Sequence, residues 1–305
     1  MLKLSISLIT YNQEKYISEA LDSILRQKTD FDFEIIIGDD ASTDKTSQII
    51  ESYLQNHENI RFIKNDENLG IQKNISNVFK NCQGEYIALL EGDDYWIDEY
   101  KLQKQVDFLD NNINCVACFT DSYTFIDGDF ATGEYQYQNK KIIPKVFDLD
   151  YFLTNTIHIP NNSKMFRKSS LPENLPEIFY KYIQWDWLLH VIQGVKGDFG
   201  FINSVSLAYR RHPKATISSK NYERILTEAI NLLYEINSYI PERYWKYFKH
   251  PLYEMNKLAW YYLKERKFGL FIKWYFKWFR SNNMLNVNWR DQFWYLRRAL
   301  KRQEF

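Results

Sequence analysis

The sequence predicts an α/β protein with a doubly wound, mostly parallel sheet, followed by a helical C-terminal extension. Over about the first 125 residues, short apolar runs alternate with amphipathic segments, which is the pattern of β-α-β units. From about residue 221 the pattern is helical to the end. The apolar runs are shorter than the roughly 20 residues that a membrane-spanning helix needs.

Five strands and four helices make up the alternating part. The strands are rich in Ile and Leu, and the second is apolar enough to be covered on both faces. The predicted strands are residues 2–10, 33–40, 60–65, 85–94 and 114–125. Apolar residues recur at helical spacing in the segments between them. The predicted helices are residues 12–27, 41–57, 71–82 and 97–112.

The pattern weakens in the next hundred residues. Residues 127–145 are predicted to form an exposed polar segment, and residues 151–177, with three prolines, an irregular one. A helix is predicted to end at Gly194. Residues 197–212 are predicted to form a hairpin or a pair of strands.

Composition excludes several classes of protein. The chain has 39 basic and 39 acidic residues, so its charge does not favour a nucleic-acid partner. Residues 241–305 carry a net charge of +10, which leaves −10 on the rest. Three Cys form no disulfide framework, and the first residues are predicted to be a core strand and not a signal peptide, so a cytoplasmic protein is expected. No glycine-rich dinucleotide or P-loop motif is present.

The most informative segment is E-Y-I-A-L-L-E-G-D-D-Y-W. An apolar strand leads into three crowded acids, Glu91, Asp93 and Asp94, with Gly92 among them. Crowded carboxylates repel one another, so we expect a cation there, and a hard divalent ion with oxygen ligands fits best. Asp93 would hold that ion against the phosphates of a nucleotide. The alternative is a solvated acidic turn in which Asp94 caps the next helix.

Other polar residues also follow predicted strands, whose carboxyl ends form the ligand cleft in such sheets. Asp39 follows the second strand and could accept a hydrogen bond from a base or ribose. Thr10 and Tyr11 follow the first strand and could contact a nucleotide, whereas Asn12 could instead cap a helix. Lys73 could meet a phosphate or face solvent.

Three candidates lie in the second half of the chain. Asp186 stands between two tryptophans, whose bulk can desolvate a carboxylate and raise its pKa, as suits a general base. The alternative is a residue that caps a helix or pairs with a cation. Arg210 and His212, in A-Y-R-R-H, could hold a diphosphate leaving group or could form an exposed basic turn.

The segment K-F-G-L-F-I-K-W-Y-F-K-W-F-R is predicted to be an amphipathic helix. At 100° per residue its apolar and basic side chains fall on separate faces. The apolar face holds Leu270, Phe271, Trp274, Tyr275 and Trp278, and the basic face holds Lys273, Lys277 and Arg280. Such a helix could lie on a membrane surface or pack on the catalytic body.

Together these motifs resemble those of glycosyltransferase family 2, the inverting enzymes of GT-A fold. The resemblance covers about residues 1–215 and is carried by S-L-I-T-Y-N, I-I-I-G-D-D-A-S-T-D-K-T, E-N-L-G-I-Q-K-N, E-G-D-D-Y-W, Q-W-D-W and A-Y-R-R-H, in that order. It implies a Rossmann-like catalytic domain over residues 1–220, with a nucleotide-sugar half (1–125) and an acceptor half (126–220). Residues 221–305 would be the extension.

The resemblance implies a cofactor and residue roles as well. The cofactor would be Mn²⁺ or Mg²⁺, and the donor most often a UDP-sugar. Asp39 would bind the base, Glu91 and Asp93 would form the D-x-D motif with Asp93 as metal ligand, Asp186 would be the catalytic base, and His212 would contact metal or diphosphate. Glu replaces the first Asp of that motif, Trp185 replaces the acid of an E-D pair, and Gln72-Lys73-Asn74 replaces A-R-N.

We therefore predict transfer of a sugar from a nucleotide-diphospho-sugar to a hydroxyl of a glycan or lipid-linked acceptor, as in bacterial surface-polysaccharide synthesis. The basic extension suits the cytoplasmic face of a membrane. One alternative is a nucleotidyltransferase acting on sugar phosphates, which would want a basic, Gly-rich loop near the first strand that the sequence lacks. The other is a non-catalytic binding subunit, which intact Asp93 and Asp186 disfavour.

Overall fold

The computed structural model describes residues 2–138, 142–155, 157–213, 222–247, 258, 261–262 and 265–283, with side chains beyond 277 not described. The chain divides into two compact units. The sheet unit comprises Met1–Tyr180 and Trp185–Pro213, and the helical unit comprises Lys181–Gln184 and Lys214–Phe305.

The sheet unit begins with four β-α repeats. They comprise β1 (Leu4–Thr10), α1 (Ile17–Leu25), β2 (Phe33–Asp39), α2 (Thr46–Leu54), β3 (Ile60–Lys64), α3 (Ile71–Asn81), β4 (Tyr86–Glu91), β5 (Tyr95–Trp96) and α4 (Lys101–Asn111). Strand β1 is buried along its whole length because it lies between β2 and β4, both parallel to it. The apolar runs that predict these strands thus form a sheet covered on both faces.

The second half of the sheet unit completes one ten-stranded sheet. Its elements are β6 (Cys115–Ile126), β7 (Asp129–Tyr135), β8 (Val146–Phe147), α5 (Leu149–Thr154), β9 (Met165–Arg167), α6 (Trp185–Gly194) and β10 (Asp198–Arg211). The path across the sheet is β3-β2-β1-β4-β9-β6-β10-β5, with β7 beside β6 and β8 beside β10. The large α/β sheet confirms the predicted fold class.

Three details of this half differ from the prediction. Residues 198–211 form one strand parallel to β6, not a hairpin or a pair of strands, with shifts of register at Ile202/Val205 and Val205/Leu207. The segment after residue 126 is mostly exposed as predicted, but it contains β7, which pairs with β6. The irregular segment contains the short antiparallel β9, which joins β4 to β6.

The helical unit contains α7 (Tyr222–Glu235) and α8 (Phe268–Asn283). A small core of Leu226, Ile230, Leu258 and Tyr262 is covered by Phe271, Trp274 and Tyr275 of α8. Three residues of the predicted apolar face of α8 therefore pack within their own unit, whereas Leu270 is exposed. Trp278 and Arg280 lie outside the described side chains, and residues 284–305 lie outside the described chain. Among the described helices, none has the length and hydropathy needed to cross a membrane.

Candidate active site

The sheet brings the predicted motifs to one edge. Thr10 at the end of β1 is paired in register with Asp39 at the end of β2, and Ile9 is paired with Glu91 at the end of β4. Because the three strands are parallel, their carboxyl ends open onto the same side. The turns that follow them are therefore neighbours in space although they lie far apart in the sequence.

The first acid pair, Asp39 and Asp40, is hydrogen-bonded by its own loops. Asp39 is fully buried, and its two carboxylate oxygens accept hydrogen bonds from the hydroxyls of Ser42 and Ser47. Asp40 accepts from the backbone N–H groups of Leu69 (2.8 Å) and Gly70 (2.9 Å) and from the Asn65 amide (3.0 Å). These contacts fix the entry to α3, whose first turn carries the exposed Lys73.

The turn after β1 is hydrogen-bonded to the turn after β2. Asn12 has a left-handed backbone (φ 53°), and its side-chain oxygen accepts from the N–H of Thr43 at 2.8 Å. The backbone N–H of Asn12 donates to Ser42 Oγ at 2.9 Å. Thr10 is buried, whereas Tyr11 keeps 45% of its surface exposed at the strand ends. A rigid loop thus presents one exposed aromatic ring.

The second acid turn is packed closely against the first strand's loop. A Cβ added to Gly92 would lie 2.4 Å from Gln13 Oε1 and 2.9 Å from Thr10 Oγ1, so no side chain fits there. Asp94 is buried, and its carboxylate accepts from Asn162 Nδ2 at 2.5 Å and from the Arg210 N–H at 2.8 Å. Asp94 is therefore a structural member of the turn.

Burial and mutual repulsion raise the pKa values of two acids of this turn, Glu91 and Asp94. Burial raises the pKa of Glu91 to about 8, and the negative charges of Asp93 and Asp186 add to that effect, whereas a hydrogen bond from Asn161 opposes it. Burial and the charge of Asp93 also raise the pKa of Asp94 well above its ordinary range. Such a cluster favours a proton or a bound cation.

His212 and Arg210 reach this turn from the end of β10. His212 Nε2 lies 2.9 Å from Asp93 Oδ2. The Arg210 guanidinium donates to the backbone oxygen of Asp93 (3.0 Å), to Asp127 (2.7 Å) and to Glu19. Its donors thus lie against protein acceptors, and Arg210 braces the acid turn.

Asp186 occupies the first turn of α6, where it accepts from the N–H of Trp187 at 2.8 Å. Its charge acts on Glu91, on His158 and on Lys164, so it faces the same region as the acid turn. The structure therefore brings together residues from four strand ends and one helix start.

Sequence reasoning missed Asn161, Asn162, Glu19 and Asp127. The two asparagines contact Glu91 and Asp94 from a 3-10 turn, Asn161–Ser163, inside the segment predicted to be irregular. Glu19 and Asp127 hold the Arg210 guanidinium. Three of the four lie in turns, where polar residues carry no periodic signal, and Glu19 lies on the polar face of α1, where an acidic residue is ordinary.

Two side chains at the acid turn, Asp93 and His212, are of the types that ligate divalent cations. Within the described residues, no group of three or more His, Cys, Asp or Glu side chains is arranged to hold a metal. Asp93 and His212 supply one carboxylate oxygen and one imidazole nitrogen side by side. Mg²⁺ and Mn²⁺ often take one or two protein ligands and complete their shell with phosphate oxygens.

Comparison with known proteins places the chain in a family. The profile of Glycosyl transferase family 2 matches residues 5–175. The chain is 36% identical over 210 residues to the uncharacterized protein Rv1520 of Mycobacterium tuberculosis, covering 68% of this chain but 59% of that protein. It is 32% identical over 178 residues to the poly(ribitol-phosphate) beta-N-acetylglucosaminyltransferase TarS of Staphylococcus aureus, covering 57% of this chain and 29% of TarS.

Solved structures share the fold. TarS 1–349 in complex with UDP-GlcNAc matches with a TM-score of 0.60 at 23% identity, covering 95% of this chain and 78% of TarS 1–349. The mannosyltransferase PcManGT of Pyrobaculum calidifontis, solved with GDP-Man and Mn²⁺, matches with a TM-score of 0.60 at 13% identity, covering 99% of this chain and 81% of PcManGT. With a family profile that spans more than half of its residues, the chain belongs to glycosyltransferase family 2.

Proposed function

We propose that the protein is an inverting, metal-assisted glycosyltransferase that moves a sugar from a nucleotide-diphospho-sugar to a hydroxyl group of an acceptor. The observation that carries the proposal is the crowding of Glu91, Asp93 and Asp94 at the carboxyl end of β4, within electrostatic reach of Asp186. A diphosphate leaving group needs positive charge at its oxygens, and a general base is needed to activate the attacking hydroxyl.

Asp93 and His212 would hold the cation through Oδ2 and Nε2. A bound Mn²⁺ or Mg²⁺ would stabilise the negative charge of the departing nucleoside diphosphate. Arg210, whose guanidinium contacts Glu19, Asp127 and the backbone of Asp93, keeps that turn in place. Its role in this proposal is therefore to position the acid turn, and contact with the nucleotide stays a prediction.

Asp186 would take the proton of the acceptor hydroxyl as that oxygen attacks the anomeric carbon. Because the attack comes from the face opposite the leaving group, the configuration of the sugar inverts. Asp186→Asn should lower the turnover number by about a hundredfold or more while leaving the affinity for UDP unchanged. Full activity in that variant would place the base elsewhere.

The nucleotide would lie across the ends of β1 and β2. Tyr11 offers an exposed ring for the base. Asp39 is fully buried and hydrogen-bonded by Ser42 and Ser47, so in this proposal it holds the loop beneath the base, and its contact with the base stays a prediction. Thr10, Asn12 and Gly92 would shape the backbone beneath the diphosphate, Glu91 would contact the ribose, and Lys73 would approach the nucleotide from the start of α3. The assignment of these residues to nucleotide binding stays a prediction.

A UDP-sugar is the first donor to test, because the relative TarS was solved with UDP and with UDP-GlcNAc. The acceptor class in this proposal is a glycan, polymer or lipid-linked saccharide. Three exposed apolar residues of α8, Phe268, Ile272 and Phe276, recur at a spacing of four and support contact with the cytoplasmic face of a membrane. Failure to sediment with phosphatidylglycerol vesicles would contradict that contact.

The proposal is tested by a thermal-shift panel of UDP-, GDP-, CMP- and dTDP-sugars, each with and without Mn²⁺, followed by analysis of the products. We expect stabilisation by one nucleotide class that is larger with Mn²⁺, release of the nucleoside diphosphate, and a product of inverted configuration. Turnover of a nucleoside triphosphate with a sugar phosphate would instead show a nucleotidyltransferase. Donor binding without any turnover would indicate a binding subunit.

A further inference from the structure

Lys164 is a fully buried lysine that the proposed chemistry does not yet use. It follows the Asn161–Ser163 turn directly, has no exposed surface, and donates from Nζ to Gln193 Oε1 at 3.3 Å. Its ammonium lies 5.3 Å from the centre of the Phe166 ring. Burying an amine against one neutral oxygen costs free energy that a methionine of similar length would avoid. Packing alone therefore gives no reason for an amine here.

The residues just before Lys164 contact the acid turn. Asn161 hydrogen-bonds Glu91, and Asn162 donates to Asp94 at 2.5 Å. The backbone oxygen of Lys164 accepts from the N–H of Leu89 in β4, two residues before Glu91, at 3.2 Å. The backbone of Lys164 is thus fixed relative to the donor side of the site.

The side chain of Lys164 reaches the helix that carries Asp186. Asp186, His190 and Gln193 are spaced by four and three residues, so they share one face of α6. Gln193 is oriented for Lys164 because its amide nitrogen donates to Ser170 Oγ at 2.9 Å. Lys164 therefore joins the acid turn to the helix of the base.

The charges around Lys164 are few and can be named. Burial lowers its pKa to about 7, and the negative charge of Asp186 opposes that effect. His190 is buried on the same helix face, and burial together with the charges of Lys164 and His158 lowers the pKa of His190 far below its ordinary value. Asp186 is thus the single carboxylate that acts on the Lys164 ammonium among these groups.

We propose that Lys164 is a positioning residue for Asp186. Its amine fixes α6 through the hydrogen bond to Gln193, and so holds the helix that carries Asp186. This inference rests on the proposed function, since it assigns Lys164 a task only if Asp186 is the base. Loss of the amine should leave α6 less firmly held against the acid turn, so the turnover number should fall while the affinity for UDP stays the same.

The chain offers a matched control in Lys101. This second lysine is also fully buried, burial also lowers its pKa to about 7, and its Nζ donates to a glutamine, Gln105, at 2.6 Å. It lies 4.1 Å from the centre of the Trp96 ring. The ionisable groups near it are Cys118 and Asp98 and not Asp186. Lys101→Met therefore repeats the same chemical change away from the base.

The experiment measures Mn²⁺-dependent hydrolysis of UDP-GlcNAc by the full chain between pH 5 and 9, with UDP affinity determined by calorimetry. We expect Lys164→Met to lower the turnover number about tenfold or more relative to Lys101→Met, with UDP affinity within about twofold of wild type. Lys164→Arg, which keeps a donor for Gln193 Oε1, should recover most of that loss.

Equal losses of turnover in Lys164→Met and Lys101→Met would overturn the inference and leave the proposed function standing. If Lys164→Met does not fold, Gln193→Leu, which removes the acceptor of Lys164 Nζ, takes its place, and full turnover in that variant would overturn the inference. Wild-type protein that binds UDP-GlcNAc but never turns it over would refute the proposed function for this donor, and the inference with it.

Discussion

The two Asp-Asp pairs at the ends of β2 and β4 have the same sequence and opposite electrostatic settings. Around Asp39 and Asp40, hydroxyl and N–H donors surround the carboxylates, including two consecutive backbone N–H groups on Asp40. Around Asp94 there are two donors, and a third acid, Glu91, is added to the cluster. Parallel strands thus end in one turn whose carboxylates are hydrogen-bonded by the chain and one turn in which three acids are crowded together.

The difference shows that one turn of the sheet edge can be held rigid by the chain while its neighbour keeps acids for a ligand. Donors that are part of the chain fix the first turn, so it is formed before any ligand arrives. The second turn keeps an unfavourable charge that a cation would relieve, so its stability should depend on what binds. Changes at the two turns should therefore have different consequences for activity and for folding.

The largest effect is expected for Asp93→Asn. Loss of the carboxylate beside His212 should weaken Mn²⁺ binding and reduce metal-dependent release of UDP by about a thousandfold, because several kcal/mol of leaving-group stabilisation are removed. Hydrolysis of UDP-GlcNAc over a Mn²⁺ titration measures it. Asp107→Asn, at an exposed position of α4, is the control. Unchanged metal dependence in Asp93→Asn would contradict the assignment of a cation to the turn after β4.

A smaller effect, on stability, should separate Asp40 from Asp94. Asp40→Asn leaves one oxygen for two backbone N–H groups and should lower the free energy of unfolding by about 2 to 4 kcal/mol. Asp94→Asn should cost less than about 1 kcal/mol, because Asn162 Oδ1 is buried without a hydrogen-bond partner and a turned amide would accept from the new side chain. Urea unfolding of both variants measures the difference. Equal losses would mean that the turns are equivalent.

The sequence alone predicted that the two acid turns lie at neighbouring strand ends. Long apolar runs place Asp39 and Glu91 at strand ends, and the parallel pattern gathers them, as the structure confirms. It could not predict which donors surround each acid. The asparagines that contact the second turn lie beside β9, a strand of three residues, which is too short to show a period of two.

The burial of charged side chains was equally hard to predict from the sequence. A lysine in a polar segment normally faces solvent, yet Lys164 and Lys101 are fully buried. The contact between Asp93 and His212 spans 119 residues, and only the resemblance to a family suggested it. Residues 197–212 were predicted to form a hairpin or a pair of strands, whereas a local shift of register between Ile202 and Leu207 lets residues 198–211 continue as one strand.

A third test measures how the raised pKa of Glu91 makes the free energy of unfolding depend on pH. The pKa of Glu91 is raised from its ordinary 4.5 to about 8, so between these values the folded protein holds a proton that the unfolded chain has released. The free energy of unfolding without metal should therefore fall as pH rises from about 5 to 8, by on the order of 3 kcal/mol, and level off above. Glu91→Gln should lose this contribution to the slope, and Mn²⁺ should reduce it. An identical slope in wild type and Glu91→Gln would contradict the assignment.

The smallest effect is expected at the end of β1, where the exposed ring of Tyr11 is proposed to cover the base. Tyr11→Ala removes stacking worth about 1 kcal/mol, so the dissociation constant of UDP should rise about fivefold with little change in turnover number. Tyr100→Ala is the control, since that ring is similarly exposed (51% against 45%) next to α4. Calorimetry with UDP distinguishes them. Equal affinity in the two variants would move the base away from Tyr11, whereas a large fall in turnover would show that the first turn takes part in more than binding.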